Sequence, residues 1–275
     1  MIRESLARAL VLLRECPLLW LPGLAAGALG ALDLVLQFWL GTSTAMRLWF
    51  LELVILPFFT AASYASVHTG ECGASSYLQG GARYYFRVML PTLVIGFATV
   101  LTILLLTIPL TFMGIAATTL PLILAGTVVP IIFFTFFYDT AAVFEDAKVF
   151  ESIRRSVEVV LRRAGQVILF YLACFVILAA IAIPLALAWT SILYDRILPL
   201  ASLNTTDIQA LSSVSISSML GFDGLVFTAV MFVIAVTAAV SLLLAFKAAF
   251  YQQISGEAVP VLQGEYDEKG RWYKY

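Results

Sequence analysis

VILFYLACFVILAAIAIPLALAW, residues 167–189, runs for 23 residues without a charged side chain. A helix needs about 20 apolar residues to cross the hydrocarbon core of a bilayer, so this stretch reads as a transmembrane helix. A membrane barrel strand would alternate apolar and polar side chains, and an open extended chain would leave backbone N–H and C=O groups unpaired in lipid. Five further stretches read the same way: Pro17–Leu40, Leu48–Val67, Val88–Leu110, Leu120–Tyr138 and Leu225–Phe250. The expected fold class is therefore all-α: a polytopic membrane protein of six transmembrane helices over residues 1–257, with a short cytoplasmic tail over 258–275. The composition agrees, since 62% of the 275 residues are apolar and 12% charged, against about half and about a quarter in a soluble domain. The first run is too long for a secretory leader and lacks a small-residue cleavage site, so it is expected to be a retained span.

The placement of Lys and Arg sets the expected orientation. In a six-span layout, Arg3, Arg8, Arg14, Arg83, Arg87, Lys148, Arg154, Arg155, Arg162, Arg163, Lys247, Lys269, Arg271 and Lys274 fall on one side, leaving Arg47 and Arg196 on the other. By the positive-inside bias, both termini are cytoplasmic and the protein is integral to the cytoplasmic (plasma) membrane. The basic inner face suits anionic lipid as partner; interleaved acidic residues make nucleic acid a poor one.

The densest charge lies at residues 144–166, FEDAKVFESIRRSVEVVLRRAGQ, with nine charged side chains. At about 100° per residue, Phe150, Ile153, Val157, Val160, Leu161 and Ala164 share one face, and Glu151, Arg154, Arg155, Glu158 and Arg162 the other. Glu151 precedes Arg155, and Glu158 precedes Arg162, at the i,i+4 spacing that supports a helix. An amphipathic elbow helix in the headgroup plane is expected. Ser5–Cys16 and Ser76–Arg87 look like weaker copies, each preceding a two-span unit. AASY at 61–64 is echoed by AAFY at 248–251, and three parallel elbow-plus-hairpin repeats are suggested.

The elbow reading ESIRRSVEVVLRRAGQVILFYL, the preceding span end FFYDTAAVFED and the last span closing KAAFYQQISGE together resemble the six-span membrane domains fused to some glycerophosphodiester phosphodiesterases and their stand-alone prokaryotic relatives. Glu145, Ser152, Arg155, Ser156 and the Tyr251 region carry the likeness. The resemblance implies a fold and a membrane address. It implies no activity, because these residues include neither the phosphodiesterase domain nor a counterpart of its acidic metal site.

An ionisable residue inside a span is a functional hypothesis by default. Asp33 lies inside span one with Gln37 one turn away, Glu52 near the outer start of span two, and Arg47 in the turn between them. These four form either a polar outer vestibule that binds a cation or carries a proton, or an ion-pair cluster centred on Arg47. Arg154, Arg155, Arg162 and Arg163 are candidates for contact with lipid headgroups. His68 reads as a solvated interfacial residue, Asp139 and Asp223 as helix caps at span ends, and Lys247 as a side chain snorkelling inward. Pro57, Pro130 and Pro184 are expected to interrupt their spans. Cys16, Cys72 and Cys174 read as buried or idle thiols, and one histidine leaves zinc or haem few ligands, so no cofactor or metal is expected. The Ser/Thr-rich stretch from Thr190 to Gly221 reads as an outer loop containing the acceptor pattern Asn204-Thr205-Thr206, and Lys269-Gly270 as a turn between aromatic arms.

No G-x-S-x-G, H-E-x-x-H or phosphate-binding loop occurs. The expectation is a non-enzymatic membrane protein that organises lipid or serves a membrane complex, with another membrane protein or a second copy as further partners. The alternative is a small-solute or ion transporter with Asp33, Gln37 and Glu52 in its path. A transport path requires a polar cavity reaching inward, whereas an organiser permits a packed centre.

Overall fold

The computed structural model describes residues 1–40, 42–114, 119–201, 213–256, 264–266 and 272–274. In chain order the helices are α1 (Ile2–Glu15), a 3-10 turn (Pro17–Trp20), α2 (Leu21–Leu40), α3 (Thr42–Thr69), α4 (Ala74–Phe112), α5 (Leu120–Thr135), α6 (Tyr138–Phe144), α7 (Val149–Arg162), α8 (Ala164–Ile192), α9 (Tyr194–Ala201) and α10 (Ser213–Gly256). Six segments of this framework are long and apolar enough to cross a membrane: Pro17–Phe38, Phe50–Thr69, Ala74–Phe112, Leu120–Phe144, Ala164–Ile192 and Leu220–Ser255. The protein is all-α and embedded in a membrane. In the tail, Gly264–Tyr266 and Trp272–Lys274 pair antiparallel; Lys269-Gly270 and Asn204-Thr205-Thr206 lie outside the described residues.

Local chemistry decides where the helices break. Cys16 precedes a proline and is therefore pushed out of the helical region; its φ of −121° and ψ of 86° end α1 ahead of the first span. Arg163, at φ −124° and ψ 32°, separates α7 from α8. No such break follows Ser76–Arg87. Those residues are the first part of α4, which continues through Pro91 for 39 residues, about 58 Å at 1.5 Å per residue. A hydrocarbon core is about 30 Å thick, so this end of α4 projects beyond it as an extension of the span, not as the separate surface helix expected. Pro57, Pro130 and Pro184 likewise sit inside continuous helices, and the interruption of span four falls later, at Phe136-Phe137. The expected outer loop is partly helical, contributing the end of α8, α9 and the start of α10.

Small residues bring backbones together where lipid offers no hydrophobic drive. A Cβ on Gly23 would stand 2.4 Å from the Thr237 carbonyl oxygen, and one on Gly27 would stand 3.0 Å from that of Val233, so α2 lies directly on the α10 backbone. At Gly81 an added Cβ would meet Ala62 Cβ at 3.0 Å, which seats α4 on α3. The densest core gathers at the end where α1, α7 and the start of α4 lie, around Tyr64, Phe137, Phe170, Phe246, Phe250 and Tyr251. Toward the other end α4, α5 and α8 present exposed Phe97, Leu105, Val129 and Phe175, apolar surface suited to lipid.

Contacts between elements close this end. Ser5 Oγ donates to Gln253 Oε1 at 2.7 Å, tying α1 to the end of α10. Arg87 pairs with Asp146 at 2.5 Å, tying α4 to the turn before α7. That turn uses a left-handed Asp146 (φ 52°), a conformation Asp tolerates better than most residues. Cys16 and Cys72 are joined by a disulfide with Cα atoms 5.3 Å apart. The expectation of idle thiols therefore fails for these two: the end of α1 and the segment after α3 meet in space, which a separation of 56 residues does not reveal. Cys174 remains a buried thiol.

Candidate functional site

The site begins at the break in span four. Ending α5 at Thr135 and restarting at Tyr138 releases backbone groups that lipid cannot satisfy. Ser156 of α7 takes both: its Oγ accepts the Phe137 N–H at 2.9 Å and donates to the Phe134 carbonyl at 2.8 Å. The fully buried elbow serine thus stabilises an interrupted span, and the interruption places Asp139 inside the bundle.

Asp139 faces Lys247 of α10. The ammonium lies 2.7 Å from Oδ1 and 2.8 Å from Oδ2. Thr140 N–H donates to Oδ1 at 2.7 Å, and the Tyr64 hydroxyl to Oδ2 at 3.3 Å. The ammonium also sits 4.1 Å from the centroid of the Phe136 ring. Both charged side chains are buried, at 8% and 9% exposure, which overturns two expectations. Lys247 does not snorkel, because the end of α10 at Gly256 is nine residues away, about 13 Å along the helix, and Asp139 is within reach. Asp139 lies in the first turn of α6, as a cap-like acid would, yet its carboxylate serves the ion pair. Asp223, by contrast, is exposed, with Arg196 at 4.0 Å.

A crevice of about 310 Å³ leads to this pair, lined by Glu52, Leu53, Leu56, Pro57 and Thr60 of α3, Val88 and Thr92 of α4, Tyr138 and Asp139 of α6, and Leu244 of α10. From Glu52 to Tyr64, whose hydroxyl reaches Asp139, is twelve residues of α3, about 18 Å. Beyond Asp139 an aromatic plug closes the bundle, with Tyr64 6.3 Å from Phe144 and Phe144 6.0 Å from Tyr251.

Of the expected vestibule residues, the structure places only Glu52 in the crevice. Asp33 and Gln37 pair with each other, the Gln37 amide donating to Asp33 Oδ2 at 3.0 Å, while Asp33 Oδ1 is buried without a partner among the described residues. Arg47 belongs to helix α3 instead of an inter-span turn, and its side chain lies outside the described residues. His68 is exposed, its ring edge-on to Phe144 at 5.3 Å.

The elbow arginines divide. Arg154 is largely exposed and pairs with Glu158 at 2.9 Å. Arg155 turns inward at 15% exposure, 2.8 Å from Glu145 and 3.6 Å from Glu158, and the Tyr251 hydroxyl donates to Glu145 at 2.6 Å. Burial works against the Arg155 charge. The Glu145 hydrogen bond and the charges of Glu145 and Glu158 outweigh it and raise the guanidinium's pKa above its ordinary value. Arg155 therefore staples α7 to the ends of α6 and α10. Arg162 is exposed and Arg163 half-buried.

One signal could have found the pair from sequence: TAASY at 60–64, TAAVF at 140–144 and KAAFY at 247–251. The alanines of all three are fully buried, and the closing aromatics are the plug. Lys247 stands where the other two motifs carry threonine, and that difference marks it. Among the described residues no group of three His, Cys, Asp or Glu is placed to hold a metal ion.

No curated protein and no solved structure matches the chain. A family model described as a domain of unknown function, DUF7847, matches residues 1–254. That match takes in five spans, all but the last residue of the sixth, and every residue of the crevice, and the chain belongs to this family.

Proposed function

We propose that the protein is a small-solute transporter of the cytoplasmic membrane, non-enzymatic, with both termini cytoplasmic and the crevice opening outward. The observation that carries this reading is the crevice running from Glu52 to the buried Asp139–Lys247 pair. Ionisable side chains inside a lipid-embedded bundle are rare and mark solute or proton paths by default. Closure beyond Asp139 by the Tyr64, Phe144 and Tyr251 rings is compatible with an outward-open, inward-closed arrangement, one of the two states that alternating access requires. The likeness to phosphodiesterase-fused membrane domains is compatible with this reading and supplies no chemistry to it.

A second reading, membrane organisation, draws on the exposed Arg154 and Arg162 of α7, available to anionic headgroups. Purified protein in liposomes on a solid-supported membrane separates the two. On the transport reading, a concentration jump with one class from a panel of amine, carboxylate and sugar solutes evokes a charge displacement that is lost in Glu52→Gln. Silence across the panel, together with a fixed lipid co-purifying in constant ratio, would leave organisation as the better account.

A further inference from the structure

The lining of the crevice specifies what it accepts. Of the three hydroxyls in the lining, Thr60, Thr92 and Tyr138, the hydrogens of the last two can be assigned. Thr92 Oγ1 donates its one hydrogen to the Val88 carbonyl at 2.8 Å, so in the 2.7 Å contact between Thr92 and Tyr138 the tyrosine is the donor. With both hydrogens spent, these two side chains offer a solute only lone pairs. Pro57 has no N–H and cannot take the carbonyl of Leu53 four residues back, and Leu53 also lines the crevice. Glu52 adds a carboxylate with no hydrogen bond or ion pair to a described residue. Among the described residues the lining contains no cationic side chain; the Lys247 ammonium lies behind Asp139 with its charge already matched. The surface is therefore rich in acceptors and carries, in Glu52, a carboxylate unpaired among the described residues.

An anion finds too few donors here. A bare metal ion needs six or so oxygen ligands, whereas Leu53, Leu56, Pro57, Val88 and Leu244 make half the wall apolar. The space equals that of about ten water molecules at ~30 Å³ each, more than one dehydrated ion fills. A small organic cation with N–H donors at one end and a short hydrocarbon body matches both kinds of surface. The protein contains its own example in Lys247, a primary ammonium on an alkyl stem, seated on the Asp139 carboxylate at the crevice floor.

We infer that the crevice binds a protonated primary amine, its ammonium on Glu52 and the freed carbonyl of Leu53, its apolar part against Leu56, Val88 and Leu244. The inference rests on reading the crevice as a solute site and names the solute's chemical class. Such an amine is either free in solution or carried by a lipid headgroup.

The test uses the full chain in nanodiscs of choline lipid, with n-butylammonium as probe and tetramethylammonium at equal ionic strength as a cation without N–H donors. Isothermal titration is expected to show saturable butylammonium binding at least about tenfold tighter than tetramethylammonium, the loss expected when charge-assisted hydrogen bonds are removed. Glu52→Gln is expected to weaken butylammonium by a similar factor, and Leu56→Trp, which fills the crevice without touching a charge, to abolish binding. Equal binding of the two cations, or full binding in both variants, overturns the inference. Adding ethanolamine lipid to the nanodisc separates the sources: competition with butylammonium assigns the site to a headgroup amine, and undiminished affinity assigns it to a free one. Labelled butylamine flux in liposomes is read separately, since binding without flux sustains the amine site and removes the transport reading alone.

Discussion

Replacing Asp139 by Asn leaves the Lys247 ammonium buried at 8% exposure with its main counter-charge gone. At 2.7 Å the pair's attraction is about 6 kcal/mol at an effective dielectric constant near 20, and taking both ions out of water costs several kcal/mol each. The intact pair is thus close to neutral in net effect, while half of it is not. The single substitution is expected to cost about 3–5 kcal/mol, the usual loss on breaking a buried ion pair. Lys247→Met should cost a similar amount, because Tyr64 and Thr140 alone then face an unpaired carboxylate. The double substitution Asp139→Asn with Lys247→Met removes both charges and should recover most of the loss. Denaturant unfolding in mixed micelles, followed by tryptophan fluorescence across the four proteins, measures the coupling directly. Single variants within about 1 kcal/mol of the parent, or a double variant as damaged as the sum of the singles, would refute the claim that these residues act as one buried pair. A double variant that folds fully yet moves no solute would show that the pair is retained for function.

Four further outcomes follow from the contacts. Ser156→Ala removes the group that satisfies both Phe137 N–H and Phe134 C=O, and should lower stability by about 1–3 kcal/mol, with faster hydrogen exchange confined to residues near 137. Gly23→Val drives side-chain atoms into the Thr237 backbone and should abolish the folded monomer peak in size-exclusion chromatography, whereas Gly96→Ala, with open space around it, should not. Cutting the Cys16–Cys72 bond by Cys16→Ser frees a 56-residue span of chain and should cost up to about 4 kcal/mol in the chain-entropy picture, seen as a lower melting temperature matched by reducing the parent protein. Arg155 has a folded pKa raised above its unfolded value, so its contribution is complete below the unfolded pKa and is lost only as pH rises through the folded one. Arg155→Lys substitutes a group titrating near about 10.4, and its melting temperature should begin to fall as pH rises past about 10.4, where the parent's Arg155 is still charged.

What the sequence revealed and what it hid divide by range. Span count depends on runs of apolar residues, a local property, and six runs became six membrane-length helices with starts at Pro17 and Leu120 as read. The amphipathic face of α7 was legible for the same reason. The extension of α4 was not, because Ser76–Arg87 carries the same kind of pattern but lacks the Cys16-Pro17 or Arg163 break that would detach it. The buried pair lay beyond local reading altogether. Asp139 and Lys247 are 108 residues apart, and each looks like an end-of-span charge until the break at Phe136-Phe137 and the motifs TAASY, TAAVF and KAAFY are set side by side. The prolines misled in the opposite direction: Pro57 and Pro130 attract notice, yet both lie inside continuous helices, and span four broke where Ser156 could satisfy the freed groups.

The two ends of the bundle differ in a way that bears on how a transporter of this build would work. The elbow end is held by covalent and ionic ties: Cys16–Cys72, Arg87–Asp146, and Arg155 on Glu145 beside Tyr251. The opposite ends of α4, α5 and α8 are exposed along most of their length, and segments with few buried apolar contacts open at the lowest cost. If inward opening occurs, the ties that must yield are those on α6 and α7, since Asp139, Glu145 and Ser156 all converge there, and not those joining α2 to α10 through Gly23 and Gly27. Crosslinking tests this division. A bond engineered between α2 and α10 should leave flux intact, and one locking α7 to α10 should stop it while leaving the outward crevice able to bind its ligand. Flux that survives the second lock would place the moving part elsewhere in the bundle.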